Sequence, residues 1–281
     1  MNMRRPLFKD VRVRKALAHA LDRKTMIAKL MYNEYDPLSS YFRHIYASGV
    51  ESPNRPLEYN LDKSRELLRE AGWSQTDSEG YLLKDGKRFE FTFLEEDPNM
   101  ERILTVYEEA LRKLGIKVNN ENVSLSTFMK RMEIYDFDMI MFRSVWDVLV
   151  DPESAFSSKE ADEKAGENYS GFKNPEVDKM INEIKPIFDD KKRNDLLRRM
   201  DRIIFEAHPF VLHWGADNIR LLYWNKFGIP KNVLTRYSGF QAALVYWWYD
   251  PQKEKALREA IAQGRALPPQ PAAIHVNPHG L

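Results

Sequence analysis

Apolar positions recur along this chain at two periods, and the switches between them outline the elements. From Asp10 to Met31, Val13, Ala16, Leu17, Ala20, Leu21, Ile27 and Leu30 fall at spacings of three, four and seven. This predicts one amphipathic helix or two in sequence, with Asp10 as N-cap. Residues 32–59 hold Pro37, Pro53 and Pro56 without a sustained period and read as loop. Asn60 then caps a helix over LDKSRELLREAGW that stops at Gly72. In YLLKDGKRFEFTFLEE two alternating segments flank Lys84-Asp85-Gly86, a hairpin pattern that puts Phe89, Phe91 and Phe93 on one face. Residues 100–115 read as a helix ended by Gly115, IKVNNENVS as a strand, STFMKRMEI as a short helix opened by Ser126 or Thr127, and FDMIMFRSV as a strand. The resulting order is strand, helix, strand, helix, strand.

Asn174-Pro175 opens a further helix through Val177, Met180, Ile181 and Ile184, which Pro186 interrupts. A second stripe follows at Leu196, Leu197, Met200, Ile203 and Ile204. HPFVLHWGADNIRLLYW reads as one or two strands, GFQAALVYWWYD as a short aromatic strand, and EKALREAIAQG as a polar helix. ALPPQPAAIHVNPHGL is a Pro-rich tail expected to be disordered. No internal repeat is present, and the whole is α/β or α+β.

Length and charge narrow the function. At 281 residues and 43% hydrophobic the chain can bury one large core or two smaller ones. Its 43 basic and 42 acidic side chains give a net charge of +1, so no global field draws in nucleic acid. Cysteine is absent, which removes disulfides, thiolate metal sites and cysteine nucleophiles without locating the protein. No run approaches the roughly 18–20 apolar residues of a membrane span. The start, MNMRRPLFKD, has charge but neither an apolar h-region nor a cleavage site, so the chain as written reads as soluble and without a signal peptide.

Candidate chemistry is sparse. His19 and His44 are isolated, His208 and His213 sit five apart on a predicted strand, and His275 and His279 lie in the tail, none at metal-ligand spacing. Serines and glycines form no nucleophile elbow, dinucleotide fingerprint or phosphate loop. Nothing points to an enzyme or a cofactor. Trp146, Trp214 and the Trp247-Trp248 pair are either core aromatics or the walls of a small-ligand pocket; on a strand the adjacent pair must face opposite ways. FDMIMFRSVWDVLVDP carries Arg143, Trp146 and Asp147 off the end of a strand, where open α/β sheets place ligand crevices. Asp147 either meets a cationic ligand group or pairs with a nearby lysine in an ordinary loop. Asp136 and Asp138 read as strand punctuation on a solvated edge.

The segment RPLFKDVRVRKALAHALDRKTMI carries the pattern D-V-R-V-R-x-A-L-x-x-A-x-D-R from Asp10 to Arg23. There follow N-x-x-K-x-x-x-L-L-x-E-A-G-W (Asn60 to Trp73), K-L-G-I-K-V (Lys113 to Val118), F-D-M (Phe137 to Met139) and N-P-E-V-D-K-M-I (Asn174 to Ile181), preceded by Tyr169 or Phe172. In this order the five motifs are similar to those of the family 5 extracellular solute-binding proteins, the peptide-, dipeptide- and nickel-binding receptors of ABC importers. The leading R-R-P-L-F, Ser40 to Phe42, Tyr223 to Gly228 and Trp247-Trp248 resemble the branch that binds oligopeptides or the peptide-nucleotide microcin C.

That resemblance implies a fold and a mode of action. The fold is that of the C-terminal lobe of a type II periplasmic binding protein, a mixed sheet flanked by helices, without the N-terminal lobe that family members carry ahead of it. Residues 1–225 correspond to the lobe, 226–250 to a segment that in relatives returns to the N-terminal lobe, and 251–281 to a C-terminal helix and tail. An extended oligopeptide lies between two lobes that close on it, pairing through its main chain, with wet, roomy pockets for varied side chains. Its N-terminal amine meets an aspartate just after the strand at 137–145, which is Asp147, or Asp151 under a different loop alignment. Arg143 and Trp146 lie alongside, and Trp214, Tyr237 and Trp247 occupy wall positions. The implied partners are a membrane permease and a separately encoded N-terminal lobe, and the implied location is the periplasm. The other expectation is a stand-alone lobe that binds a protein and has little peptide affinity by itself.

Overall fold

The computed structural model describes residues 1–46, 50–141, 151–216, 220–230 and 241–269. The chain packs as two compact units, the first holding the described residues up to 216 and the second those from 220 onward.

The first unit begins with two helices rather than one. α1 (Val11–His19) is capped by Asp10, which accepts from Arg12 N, and α2 (Arg23–Leu30) by Asp22, which accepts from Thr25 N. Two capping aspartates twelve residues apart divide the apolar stripe into separate helices. A two-residue strand, β1 (Asp36–Pro37), lies in the loop before α3 (Leu61–Glu70), which Asn60 caps by accepting from Lys63 N. α3 packs on α1, where the buried Ser64 hydroxyl donates to Ala16 O at 2.9 Å.

β2 (Gln75–Thr76), β3 (Leu82–Lys84) and β4 (Lys87–Arg88) form a small antiparallel sheet, and the turn at Asp85-Gly86 stands where the alternation places it. The chain then leaves that sheet. β5 (Glu90–Glu95) pairs in parallel with β6 (Lys117–Asn122) on one side and with β7 (Met139–Ile140) on the other. α4 (Glu101–Lys113) and α5 (Leu125–Glu133) make the two crossovers, so the predicted order holds. Gly115 ends α4 at φ +77°, and a Cβ there would stand 2.8 Å from Gly80 O, so only glycine fits. The cap of α5 is Ser124, which accepts from Thr127 N, not Ser126 or Thr127.

After residue 151 come α6 (Pro152–Phe156), α7 (Pro175–Ile184) and α8 (Asp190–Ala207). Asn174 caps α7 and Asp189 caps α8, and the break between them falls at Pro186 as predicted. α7 and α8 share a core with Phe42, Phe156 and Phe172, while a larger core lies among α1, α3, α4 and β5. Asp201, fully buried on α8, ties the 40–54 loop to that helix by accepting from Tyr41 N, Tyr46 Oη and Asn54 Nδ2 at 2.8–2.9 Å.

The 207–216 segment corrects the strand expectation. His208 takes a left-handed conformation (φ 48°) as the C-cap of α8, and among the described residues strand pairing is confined to β8 (Trp214–Gly215) against β1, with Leu38 N donating to His213 O beside it. The physical reason is two buried arginines. Arg14 donates to the carbonyls of Ala207 and His208, and Arg23 donates to that of Leu212, so these groups are satisfied without a ladder.

In the second unit, β9 (Phe227–Gly228) pairs antiparallel with β10 (Trp248–Tyr249), and α10 (Pro251–Ala262) follows its cap Asp250. Over its described residues, 241–250, the predicted aromatic strand is instead mostly helix: α9 (Gln241–Tyr246) precedes the two residues of β10. The sequence QAALVY has as much helix as strand propensity, and its apolar content alone could not decide. The tail beyond 269 lies outside the described residues.

Candidate functional site

Because β5, β6 and β7 run parallel, their carboxyl ends converge at one edge of the sheet, at Glu95, Asn122 and Ile140-Met141. In open α/β sheets that edge is where ligands bind. Phe91 and Phe93 send their rings into the larger core, and Leu94 faces a smaller one with Phe128, Met132 and Phe137. Glu95 follows in phase with the two phenylalanines, and it too is buried, at 6% exposure.

The surroundings of Glu95 are unusual for a carboxylate. Oε1 accepts from Glu96 N at 2.8 Å and from Asp97 N at 2.9 Å, and the main-chain oxygen accepts from Val123 N at 2.9 Å, joining the ends of β5 and β6. Oε2 is buried and has no hydrogen-bond partner among the described residues. Burial pushes the carboxyl above its ordinary pKa, the charges of Glu96 and Asp97 push the same way, and the two N–H groups pull against them. Sequence reasoning missed this residue. Its signal was the position two beyond Phe93, where the core alternation continues but an acid stands.

Of the predicted ligand-contacting residues, Arg143, Trp146 and Asp147 lie within 142–150 and Tyr237 within 231–240, outside the described residues. Met141, the last described residue before the first of these stretches, packs against the larger core. So does Trp214, which is half-buried in β8 with its ring 5.1 Å from that of His213. Trp214 and Met141 therefore pack against the same core. Asp151 is exposed and caps α6, accepting from Glu153 N at 2.9 Å. Trp247 belongs to the second unit, where Tyr223 meets it edge-on at 4.7 Å and Phe227 lies at 6.4 Å; its Nε1 has no partner among the described residues. Trp248, on β10, is half exposed.

Arg14 and Arg23, both in the first motif, hold the 207–212 segment through its carbonyls. Besides the 207–212 carbonyls, Arg14 donates to Phe8 O and Lys9 O at 2.7 Å, and Arg23 to Ala18 O, Leu21 O and Leu57 O. A planar guanidinium can bond several carbonyls at once, which fits arginine at both positions. Together they fix the segment that carries Trp214. Asp138, read from sequence as a solvated edge, in fact accepts from Thr92 N at 3.0 Å and pairs with Arg5.

Among the described residues no group of three or more His, Asp or Glu is arranged to hold a metal, and no helix is long and apolar enough to cross a membrane.

Comparison with known proteins matches residues 1–167 to the family described as bacterial extracellular solute-binding proteins, family 5 (middle). The oligopeptide-binding protein AppA of Bacillus subtilis is 32% identical over 225 residues, covering 77% of this chain and 40% of AppA. The solved structure of AppA with a nonapeptide superposes with a TM-score of 0.74 at 27% identity, over 88% of this chain and 49% of that one. The protein YejA of Escherichia coli is 27% identical over 297 residues, covering 94% of this chain and 48% of YejA. The chain thus spans about half or less of the length of the relatives it matches. Its mixed α/β architecture is that of the matching part of a family 5 fold.

Proposed function

The chain belongs to the family 5 bacterial extracellular solute-binding proteins, and from that premise we propose that it supplies a peptide-contacting surface of an ABC importer's receptor. The observation that carries this reading is the parallel β6-β5-β7 sheet, whose carboxyl edge holds Glu95, Asn122 and Ile140-Met141 directly ahead of the stretch that carries Arg143, Trp146 and Asp147. AppA is named for oligopeptide binding, and its structure holds a nonapeptide. The ligand is then an extended oligopeptide. Its amine meets Asp147, with Arg143 and Trp146 beside it and Trp214 as part of the wall. Asp151 is the alternative anchor, although its carboxylate already caps α6. The working location is the periplasm and the partner a membrane permease.

Removing one partner of a desolvated ammonium–carboxylate pair costs about 2–5 kcal/mol, whereas an exposed pair is worth about 0–1 kcal/mol. A surface that covers only one side of the peptide leaves the pair wet, so this chain alone binds peptides weakly. The test is titration calorimetry with a free-amine tetrapeptide and its N-acetylated form. Heats too weak for a micromolar constant, larger for the free amine and equalised by Asp147→Asn, support the reading. Equal loss for both peptides in the variant sinks the amine anchor.

A second reading, a module that docks on another polypeptide such as a separate N-terminal lobe, is favoured by the second unit. There Leu222, Trp224, Leu244, Val245 and Trp248 are all exposed. Light scattering that finds a clean monomer at all concentrations weighs against it.

A further inference from the structure

We infer that Glu95 is a specificity-determining carboxylate that receives a cationic group, an ammonium or guanidinium, of the bound peptide. The inference rests on the peptide-binding reading and names a chemistry that reading leaves open. Three observations carry it. First, Glu95 ends the central strand of the parallel sheet, at the edge where a ligand lies. Second, its side chain is held in one orientation: Oε1 is fixed by two backbone N–H groups, and the free oxygen, Oε2, is buried without a partner among the described residues. Third, it has no ion-pair partner among the described residues, and its charged sequence neighbours, Glu96 and Asp97, are themselves acidic.

A protein that buries a carboxylate oxygen and leaves it unpaired loses stability by doing so. Core packing would be served by any apolar residue in phase with Phe91 and Phe93. The acid is explained if the missing partner arrives with the ligand. One donor of a guanidinium or ammonium on Oε2 completes the carboxylate's bonds, and the acidic neighbours strengthen its preference for a cation over a neutral isostere.

The test uses the full chain and four tetrapeptides with arginine at each position in turn, each compared with its citrulline counterpart, which keeps shape and removes charge. At one position arginine binds about tenfold or more tightly, as a charge-assisted bond requires, and Glu95→Gln collapses that ratio to near one. Thermal melting without peptide supplies the reading of fold: Glu95→Gln melts at or above the wild-type temperature at pH 7, because it removes an unpaired buried charge. Ratios near one at all four positions in the wild type, or a ratio that survives in the variant, overturn the inference while leaving peptide binding intact. If no tetrapeptide binds, the peptide reading fails. The carboxylate is then judged by carbon-13 titration of Glu95 with methylguanidinium. A midpoint that falls on adding the ion supports a cation site, and an unchanged midpoint overturns it.

Discussion

Replacing Arg14 by methionine tests whether the arginines of the first motif act on folding through main-chain carbonyls. Arg14 is 4% exposed and donates to four carbonyl oxygens: Phe8 and Lys9 ahead of α1, and Ala207 and His208 at the end of α8. The last two lie where a helix leaves its acceptors unpaired. Methionine fills much of the volume but donates nothing. Four carbonyls at about 1 kcal/mol each give roughly 4 kcal/mol, and relief from burying the guanidinium returns part of it, so the net loss is about 2–4 kcal/mol. Arg12, two residues away, is exposed and bonds Asp10 and Glu70 O, and its replacement should fall within the scatter of surface substitutions. Urea unfolding followed by circular dichroism reads both variants. Arg14→Met should unfold at a lower midpoint with unchanged slope, and Arg12→Met at almost the wild-type midpoint. Equal losses, or a wild-type midpoint for Arg14→Met, would overturn this role for the Arg14 guanidinium.

Acid should act through His208. Its ring is buried beside Arg14, Lys15 and His19, Nδ1 bonds Glu206 O at 3.2 Å, and Nε2 has no partner among the described residues. Burial first, then the charges of Lys15 and Arg14, depress its pKa to about 4. The folded value lies below the ordinary 6.5, so the neutral ring favours folding above pH 6.5. That contribution, about 3 kcal/mol at most, is lost as pH falls from 6.5 toward 4. His208→Asn, which suits the left-handed backbone, should lose less stability than wild type between pH 7.5 and 5, measured by urea midpoints; parallel losses would contradict this. Asp151→Ala removes the cap of α6 and should cost about 1 kcal/mol. Binding of free-amine peptides should be unchanged if Asp147 is the anchor, and a selective loss of those peptides in calorimetry would transfer the role to Asp151.

The sequence made most of the first unit legible because its signals are local. Asp10, Asn60 and Asn174 cap the helices they were expected to cap, and the alternation from Phe89 to Phe93 marks a strand whose rings are all buried. Misreadings fell where the deciding interaction is distant in sequence. Residues 207–216 have strand composition, yet Arg14 and Arg23, some 190 positions earlier, satisfy their carbonyls. The 239–250 stretch offered aromatic content but no period long enough to separate helix from strand. Around the candidate site, Trp214 stands out in the sequence by its type, while Glu95 does not, because an acid at a strand end resembles ordinary punctuation. Only its burial distinguishes it.

Peptide lying at the carboxyl edge of the β6-β5-β7 sheet is visible to backbone amide NMR of the chain, titrated with a free-amine tetrapeptide to millimolar concentration. Shifts should concentrate at 94–97, 139–151 and 214, and be much smaller when the peptide is N-acetylated. Shifts spread over α7 and α8 instead, or none at millimolar peptide, would contradict it.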